Sequence, residues 1–298
     1  MLEDPTADGG RRMENTQDVS AFAADHRPSS AVPLLLARNL TTSYPVTGGF
    51  WKRTVDHVRA VRDVSLRIDA GEIVGLVGES GCGKSTLGFS LLGLTLPTSG
   101  EIELSGKKID IAKADSWKPH RRDFQVVFQD PYTALNPRLT VFELLSEPLR
   151  THGLAPAAGL RAAATELLRQ VGLPVDALDR FPHAFSGGQR QRLCIARALG
   201  VRPRLLVCDE VVSALDVSVQ AQIVNLLLDL RREHGMALLF ITHDLSLVRS
   251  IADRVLVMKD GEIVEEGEAA ALFAAPRHPY TRTLLAAVPT LAKRARKA

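Results

Sequence analysis

Apolar and polar positions change their spacing along the chain, and each spacing predicts a different kind of element. Residues 60–68 alternate apolar and polar side chains, as expected of a strand with one buried face. Residues 73–77, 205–208 and 237–241 are continuous apolar runs, which suit strands buried on both faces. Helical spacing over 219–230 separates two of these runs. This alternation of strands and helices indicates an α/β fold with a parallel sheet.

Two further groups of elements depart from this alternation. Short strands are predicted at 34–37 and 101–104, and they suggest an antiparallel β layer beside the parallel core. Residues 140–185 have helical spacing, and we interpret them as part of an inserted helical subdomain with limits of about 132–199. A Lys-Asp-Gly turn within 255–264 predicts a hairpin.

Neither end of the chain shows apolar periodicity. We expect residues 1–33 to be a mobile leader and residues 284–298 to be a basic, solvated tail. Residues 34–283 would then form the folded domain.

Composition excludes some classes of protein. The 298-residue chain is 45% hydrophobic and 24% charged, which is ordinary for a globular protein, and its net charge of +3 favours no polyanionic partner. Its three cysteines lie far apart without CxxC spacing, which fits neither a disulfide framework nor a zinc site. The sequence contains no apolar run near the ~18 residues of a membrane span, and no signal-peptide core. We therefore expect a cytosolic protein without a nucleic-acid partner.

The clearest chemical motif lies between the predicted strand at 73–77 and a helical run beginning at Thr86. It matches the phosphate-binding pattern GxxxxGK[ST], in which glycines let successive backbone N–H groups face an anion. Lys84 would reach the β and γ phosphates of a nucleotide, and the Ser85 hydroxyl would hold Mg²⁺. A plain glycine turn is the alternative, and the flanking elements disfavour it. The loop consists of Gly78, Glu79, Ser80, Gly81, Cys82, Gly83, Lys84, Ser85 and Thr86.

Two acids follow the apolar run at 205–208. In open α/β sheets ligands collect at the carboxyl ends of strands, which would bring Asp209 and Glu210 close to the phosphate loop. Asp209 would then hold the Mg²⁺ shell and Glu210 would polarise a water molecule for attack on the γ-phosphorus. Surface acids at a strand end are the alternative interpretation.

A second candidate anion site is the Ser-Gly-Gly-Gln sequence at 186–189. A serine hydroxyl and exposed N–H groups at a helix start would bind an anion, although the same residues also form an ordinary helix cap. Because one chain has only one γ-phosphate to hold, this second site suggests a neighbour's nucleotide. Gln129 and His243 carry little information by themselves, although a neutral imidazole after a buried strand could contact the γ-phosphate.

Taken in this order, the motifs resemble the ATPase subunit of an ABC transporter, over about residues 34–289. They are Walker A at 78–86, the Q-loop glutamine Gln129, the signature Ser186, Gly187, Gly188 and Gln189, Walker B at 205–209 with the catalytic base Glu210, the D-loop ending in Asp216, and the switch histidine His243.

The resemblance implies a P-loop NTPase (RecA-like) core with an antiparallel β subdomain and an inserted helical subdomain. It implies binding of ATP and Mg²⁺, catalytic roles for Glu210, His243 and Gln129, and a metal shell of Ser85, Gln129 and Asp209. It further implies a sandwich dimer, in which the signature residues and Asp216 would complete the ATP site of the opposite protomer.

Several short sequence segments resemble those of the ATPases of dipeptide, oligopeptide and nickel importers. They include the loop at 78–83, the Gln-Asp-Pro-Tyr sequence at 129–132 and the closing Pro-Arg-His-Pro-Tyr-Thr at 276–281. The region 48–53 resembles the F-type subunit, which pairs with a different, D-type ATPase. Val211 stands where the family usually has proline, and Phe185 where leucine is commoner.

This subfamily implies peptide uptake through two transmembrane permease subunits, fed by an extracytoplasmic substrate-binding protein. The chain would sit peripherally on the cytoplasmic face of the inner membrane, in a heterodimer with a D-type ATPase or in a homodimer. Importers of nickel, glutathione or other small solutes stay open as alternatives. An exporter ATPase, a soluble ABC ATPase without a transport role and a GTPase are less favoured.

The resemblance also implies an aromatic residue that stacks on adenine. The family places an aromatic ring upstream of Walker A, where its π face contacts the base. We select Tyr44 because it ends the first predicted strand, with Phe50 and Trp51 as competitors. A structural aromatic in the core or in a turn is the remaining alternative.

Overall fold

A computed structural model describes residues 32–48 and 53–287 of the chain and places their strands in two sheets. The strands are β1 (Leu35–Gly48), β2 (Arg53–Ile68), β3 (Ile73–Val77), β4 (Ser99–Leu104), β5 (Lys107–Ile109), β6 (Phe124–Val127), β7 (Leu205–Asp209), β8 (Ala237–Thr242), β9 (Arg254–Lys259) and β10 (Glu262–Glu268). The α-helices are α1 (Lys84–Leu91), α2 (Pro131–Ala134), α3 (Val141–Thr151), α4 (Leu160–Gln170), α5 (Gly187–Leu199), α6 (Val217–His234), α7 (Leu245–Ile251), α8 (Ala269–Ala274) and α9 (Pro279–Ala287).

The smaller sheet is antiparallel, with four strands in the order β2-β1-β4-β5. Leu35 of β1 lies opposite Ile68 on one side and Leu104 on the other. The turn from β4 to β5 uses Ser105 and Gly106, both at positive φ (51° and 75°), as a tight hairpin turn requires. The predicted antiparallel layer is confirmed.

The larger sheet has six strands in the order β10-β9-β3-β8-β7-β6. All of its pairs are parallel except β9 with β10, which form the predicted hairpin. Strands β3, β7 and β8 are buried at every position, in agreement with their continuous apolar runs. Val77 lies opposite Thr242, and Asp209 opposite Ile241, so the loops that follow all three strands emerge at one edge. The predicted α/β fold is confirmed.

Helix α1 joins the two sheets. Its Leu87 and Leu91 are fully buried in one apolar cluster that also contains residues of both sheets, among them Leu35, Ile102 and Leu239. Helix α1 begins at Lys84, two residues before the predicted start. The phosphate loop is therefore held between the two layers.

Helices α2 to α5 lie between β6 and β7. Leu145, Leu168 and Ile195, from α3, α4 and α5, are almost completely buried in a cluster that extends to β7 and β8. Helix α3 begins with a reciprocal capping box between Thr140 and Glu143, which satisfies two of its free backbone donors. No helix in the described ranges combines the length and the apolar character that a bilayer span needs.

The predicted domain limits stay predictions. Residues 1–31 and 288–298 lie outside the described ranges, so most of the leader and most of the basic tail do as well. Helix α9 continues to Ala287, into the segment assigned to the tail.

Arg254 connects the two sheets by hydrogen bonds. Its side chain is 17% exposed, and its Nε and Nη2 donate to the two carboxylate oxygens of Glu72 at 2.8 and 3.2 Å. It also donates to the Arg67 carbonyl on β2 and to Glu266 on β10. One guanidinium on β9 thus holds the smaller sheet against the larger one.

We expect Arg254→Met to lower the free energy of unfolding by about 3 kcal/mol, because it leaves the Glu72 carboxylate buried without its cation. Urea denaturation with an unchanged m-value measures this loss. Arg38→Met is the control, since it removes an exposed pair with Glu103 worth at most about 1 kcal/mol. Equal losses in the two variants would contradict the prediction.

Candidate functional site

The phosphate loop has a shape that its glycines alone permit. Gly81 and Gly83 have φ values of 81° and 107°, a region that side chains rarely adopt. A Cβ on Gly83 would lie 2.1 Å from the Ala60 carbonyl oxygen, and one on Gly78 would lie 2.2 Å from that of Met258. Neighbouring backbone therefore approaches Gly78 and Gly83 so closely that no side chain fits at these two positions.

The loop is tied to the β9–β10 hairpin and to β2. The Cys82 carbonyl accepts a hydrogen bond from the Gly261 N–H at 3.0 Å, and the Gly261 carbonyl accepts one from Arg62 at 2.8 Å. Burial raises the pKa of the Cys82 thiol, against the lowering effect of Lys84. Cys82 therefore acts as a small buried side chain rather than as a nucleophile.

Lys84 is buried at the start of α1, with its ammonium turned onto the loop. Its Nζ donates to the carbonyl oxygens of Gly78 and Glu79 at 3.0 and 2.8 Å. These two bonds use two of the three ammonium protons, and the third faces Cys82 Sγ at 3.9 Å, a weak contact that a phosphate oxygen can replace.

Ser85 and Asp209 bring two oxygen ligands together from α1 and β7. The Ser85 hydroxyl donates to Asp209 Oδ1 at 2.8 Å. Burial raises the pKa of Asp209, and the bond from Ser85 opposes that rise. A hard cation fits this pair, because such ions prefer oxygen ligands and favour the charged carboxylate.

Glu210 is held in an unusual backbone conformation directly after β7. Its φ is +48°, a left-handed value that is uncommon for residues other than glycine. Its N–H donates to the Ile241 carbonyl at 2.9 Å, and its own carbonyl accepts from the Ser213 hydroxyl at 2.9 Å. Strain that is fixed by neighbours in this way is typical of functional positions.

The Glu210 carboxylate lies between the side chains of Gln129 and His243, neither of which indicates a function from the sequence by itself. Its Oε2 accepts a hydrogen bond from Gln129 Nε2 at 3.0 Å. Its Oε1 lies 3.4 Å from Nδ1 of the largely exposed His243, near the outer limit of a hydrogen bond. The fold thus brings Gln129, Glu210 and His243 together from the loops after β6, β7 and β8.

The signature residues at 186–189 do not join the group around Glu210. Ser186 caps α5, where its hydroxyl accepts from the Gln189 N–H at 3.4 Å and its N–H donates to Gln189 Oε1 at 3.0 Å. Ser186, Gln189 and Asp216 are exposed, while Gly187 and Gly188 are half-buried. Within the described residues, these side-chain bonds stay inside α5 and do not reach the phosphate loop. The capping role and an exposed anion-binding surface are therefore both compatible with the structure.

Tyr44 lies on β1 beside the phosphate loop. Its half-exposed ring places the hydroxyl 3.5 Å from the Thr86 hydroxyl. Its competitors Phe50 and Trp51 lie outside the described residues, so the comparison among the three is not tested.

Three residues make contacts at the site that were not predicted from the sequence. Ser213 lies 3.4 Å from Gln129 Nε2 as well as binding Glu210. Gly261 anchors Cys82, and the Tyr280 hydroxyl accepts from the Glu79 N–H. Ser213 and Tyr280 both belong to sequence motifs noted above, but no spacing rule indicates such contacts.

Solved structures with the same fold are ABC cassettes. The ATP-binding cassette MJ0796, in a dimeric post-hydrolysis state bound to ADP and Pi, is 32% identical and has a TM-score of 0.69, covering 79% of this chain and 98% of that one. CbiO1 from Clostridium perfringens, part of the ABC transporter complex cbiONQ, is 28% identical at the same TM-score, covering 82% and 91%.

Curated relatives include the glutathione import ATP-binding protein GsiA of Escherichia coli (strain K12) and that of Salmonella typhimurium. Each is 51% identical over 257 residues, or 86% of this chain. The chain spans only 41% of the length of these relatives.

Two family models match separate parts of the chain. Residues 264–298 match the C-terminal region of oligopeptide/dipeptide transporters. Residues 61–213, from β2 to the loop after Glu210, match the ABC transporter family. With the cassette fold and the site at the edge of its parallel sheet, the chain belongs to the ABC transporter family.

Proposed function

We propose that this protein is the ATP-hydrolysing subunit of an importer that takes up peptides or a related small solute through a separate membrane permease. One observation carries the proposal. The Glu210 carboxylate is held between Gln129 and His243, next to the Ser85–Asp209 pair and the phosphate loop. A carboxylate so placed beside an anion-binding loop suits attack by water on a bound phosphate.

Binding of ATP uses the phosphate loop first. The backbone N–H groups from Gly81 onward, the N-terminus of α1 and the remaining donor of Lys84 bind the phosphates. The Tyr44 ring, beside Thr86, stacks on adenine. Residues Ser85, Gln129 and Asp209 would hold Mg²⁺, which would neutralise the charge that develops on the phosphate oxygens.

Hydrolysis uses the carboxylate. Glu210 accepts a proton from the attacking water, and Gln129 and His243 keep its two oxygens in place. The left-handed backbone at Glu210 fixes the direction in which the side chain leaves β7. His243, exposed at the sheet edge, also contacts the γ-phosphate.

Dimerisation completes the site. Ser186 and Asp216 are exposed, so they are free to contact the ATP of a second ATPase. In the same dimer, that second ATPase closes its own signature over this chain's γ-phosphate. The dimeric cassette structure among the relatives supports this arrangement. The partner is a D-type ATPase, with a second copy of this chain as the alternative.

A groove beside Gln129 is the docking site for the permease. It has a volume of about 340 Å³ and lies between the end of β6 and helices α2, α3 and α5. Phe128 lines it, and the next residue, Gln129, binds Glu210. A permease segment in the groove would therefore be one residue away from the hydrolytic site. Its lining includes Leu94, Phe128, Leu135, Pro148, His152 and Arg197.

The relatives support the proposed substrate class. The C-terminal match is to oligopeptide and dipeptide transporters, and GsiA is a glutathione importer component. Glutathione is itself a modified tripeptide, so both comparisons favour a short peptide. The chain then works peripherally on the cytoplasmic face of the inner membrane, with two permease subunits and an extracytoplasmic binding protein.

Glu210→Gln should reduce ATP hydrolysis at least about a hundredfold, because an amide cannot accept the proton. ATP binding should persist, so the variant should accumulate as a dimer with ATP. Phosphate release and light scattering measure the two effects. Glu233→Gln, an exposed change on α6, is the control, and near-normal hydrolysis in Glu210→Gln would remove Glu210 from the role of base.

Lys84→Ala should abolish detectable ATP binding and turnover, because it removes the cation that faces the phosphates. Calorimetric titration with Mg–ATP measures binding. Lys107→Ala removes an exposed lysine on β5 and should bind normally. Unchanged binding in Lys84→Ala would contradict the assignment of the phosphate site.

Co-purification of the tagged chain from gently solubilised native membranes tests the transport assignment. We expect two permease subunits and a second ATPase, identified by mass spectrometry. Recovery of only ribosomal or DNA-processing proteins would overturn it.

Leu94→Asp should abolish co-purification of the permease subunits, because it puts a charge into the proposed docking groove. ATP binding should persist. Leu94 is 55% exposed, so the fold should tolerate the change. Val58→Asp, at a β2 residue also 55% exposed, is the matched control. Equal recovery of the permease with both variants would place its docking site elsewhere.

A further inference from the structure

The sequence Pro-Arg-His-Pro-Tyr-Thr at 276–281 contacts the site only through Tyr280, and hydrogen bonds hold the segment in place. Glu265 on β10 accepts hydrogen bonds from the N–H groups of Arg277 at 2.7 Å and His278 at 3.0 Å. His278 Nδ1 in turn accepts from the Tyr280 N–H at 3.2 Å. The backbone that leads into α9 is thereby held against the β9–β10 hairpin.

This arrangement directs Tyr280 to the phosphate loop. Its side chain is only 8% exposed and packs in an apolar cluster with Val77 and Val257, which end or nearly end their strands. The Lys259 ammonium lies 5.1 Å from the centre of the ring. The hydroxyl accepts a hydrogen bond from the Glu79 N–H at 3.1 Å. The polar end of a buried tyrosine thus reaches the second residue of the loop.

The peptide group between Gly78 and Glu79 is bound from both sides. Its N–H donates to Tyr280, and its C=O accepts from Lys84 Nζ at 3.0 Å. In a trans peptide these two groups point in opposite directions. Tyr280 and Lys84 therefore hold one planar unit between them, and rotation of that unit would break both bonds.

We propose that Tyr280 is a positioning residue for nucleotide binding, through which the C-terminal segment sets the orientation of the Gly78–Glu79 peptide and hence of Lys84. This inference rests on the proposed function, since it takes ATP as the ligand of the loop.

The expected effect is on affinity rather than on turnover. Without the Tyr280 hydroxyl, the Glu79 N–H of the nucleotide-free loop turns to other partners. The Gly78 and Glu79 carbonyls, which accept hydrogen bonds from Lys84, then move with that peptide group. Binding must then restore the loop, which weakens affinity as any loss of preorganisation does. Once ATP is bound, the phosphates hold the loop themselves, and Tyr280 touches no reacting atom.

The test compares Tyr280→Phe with Tyr132→Phe in the full chain. Both remove one phenol hydroxyl, but Tyr132 is exposed and its ring contact with Arg190 does not need the hydroxyl. Loss of one buried hydrogen bond predicts a Kd and KM for Mg–ATP about three- to tenfold higher in Tyr280→Phe, with kcat unchanged, and no change in Tyr132→Phe. Hydrogen exchange of the nucleotide-free chain should show faster exchange over residues 78–84 in Tyr280→Phe alone.

Further measurements separate positioning from stability. Tyr280→Leu removes ring packing as well, so it should lower the midpoint of thermal unfolding, whereas Tyr280→Phe should change affinity with the midpoint nearly constant. Unchanged Kd, KM and loop exchange in Tyr280→Phe, beside normal ATP binding by the unmodified chain, would overturn this inference alone. Absence of ATP binding by the unmodified chain would overturn the proposed function and the nucleotide-binding role together.

Discussion

The glycines of the phosphate loop have no side chains with which to hold the loop in shape, and the site in this protein depends on the groups that do so. The loop must expose backbone N–H groups to an anion, so its glycines cannot also pack. Two residues far away in the sequence help to fix it, since Gly261 binds Cys82 and the Tyr280 hydroxyl binds Glu79. Within the loop, Lys84 binds two carbonyls. The order of the binding site therefore depends on distant residues as well as on the loop itself.

The parallel sheet places the rest of the chemistry. Since parallel strands end at one edge, the residues after β3, β6, β7 and β8 meet there without any long connecting segment. Glu210 departs from this regular pattern with its left-handed backbone, and Ser213 and Ile241 hold it in that state. The sheet thus sets the neighbourhood, while local strain sets the direction of the carboxylate.

Much of this could be predicted from the sequence, because the signals were local. The continuous apolar runs predicted the buried strands, and the phosphate loop was identifiable from its own residues and its flanks. The approach of Gln129 and His243 to Glu210 was not indicated by any local pattern, and only the resemblance to a family suggested it. The role of Tyr280 was not predicted because its contact with the Glu79 N–H joins positions far apart in the chain. The role of Ser213 was not predicted because its hydroxyl binds a backbone carbonyl, which a pattern of side chains does not record.

The adjacency of Phe128 and Gln129 has a consequence for how such proteins diversify. Phe128 lines the groove and Gln129 binds the Glu210 carboxylate, so the groove that we propose for the permease and the hydrolytic site that we propose use separate side chains on one short segment. Substitutions in the groove lining can follow changes in a partner without disturbing the hydrolytic residues. An ATPase built in this way can be paired with new partners in evolution, because its energy source and its specificity vary independently.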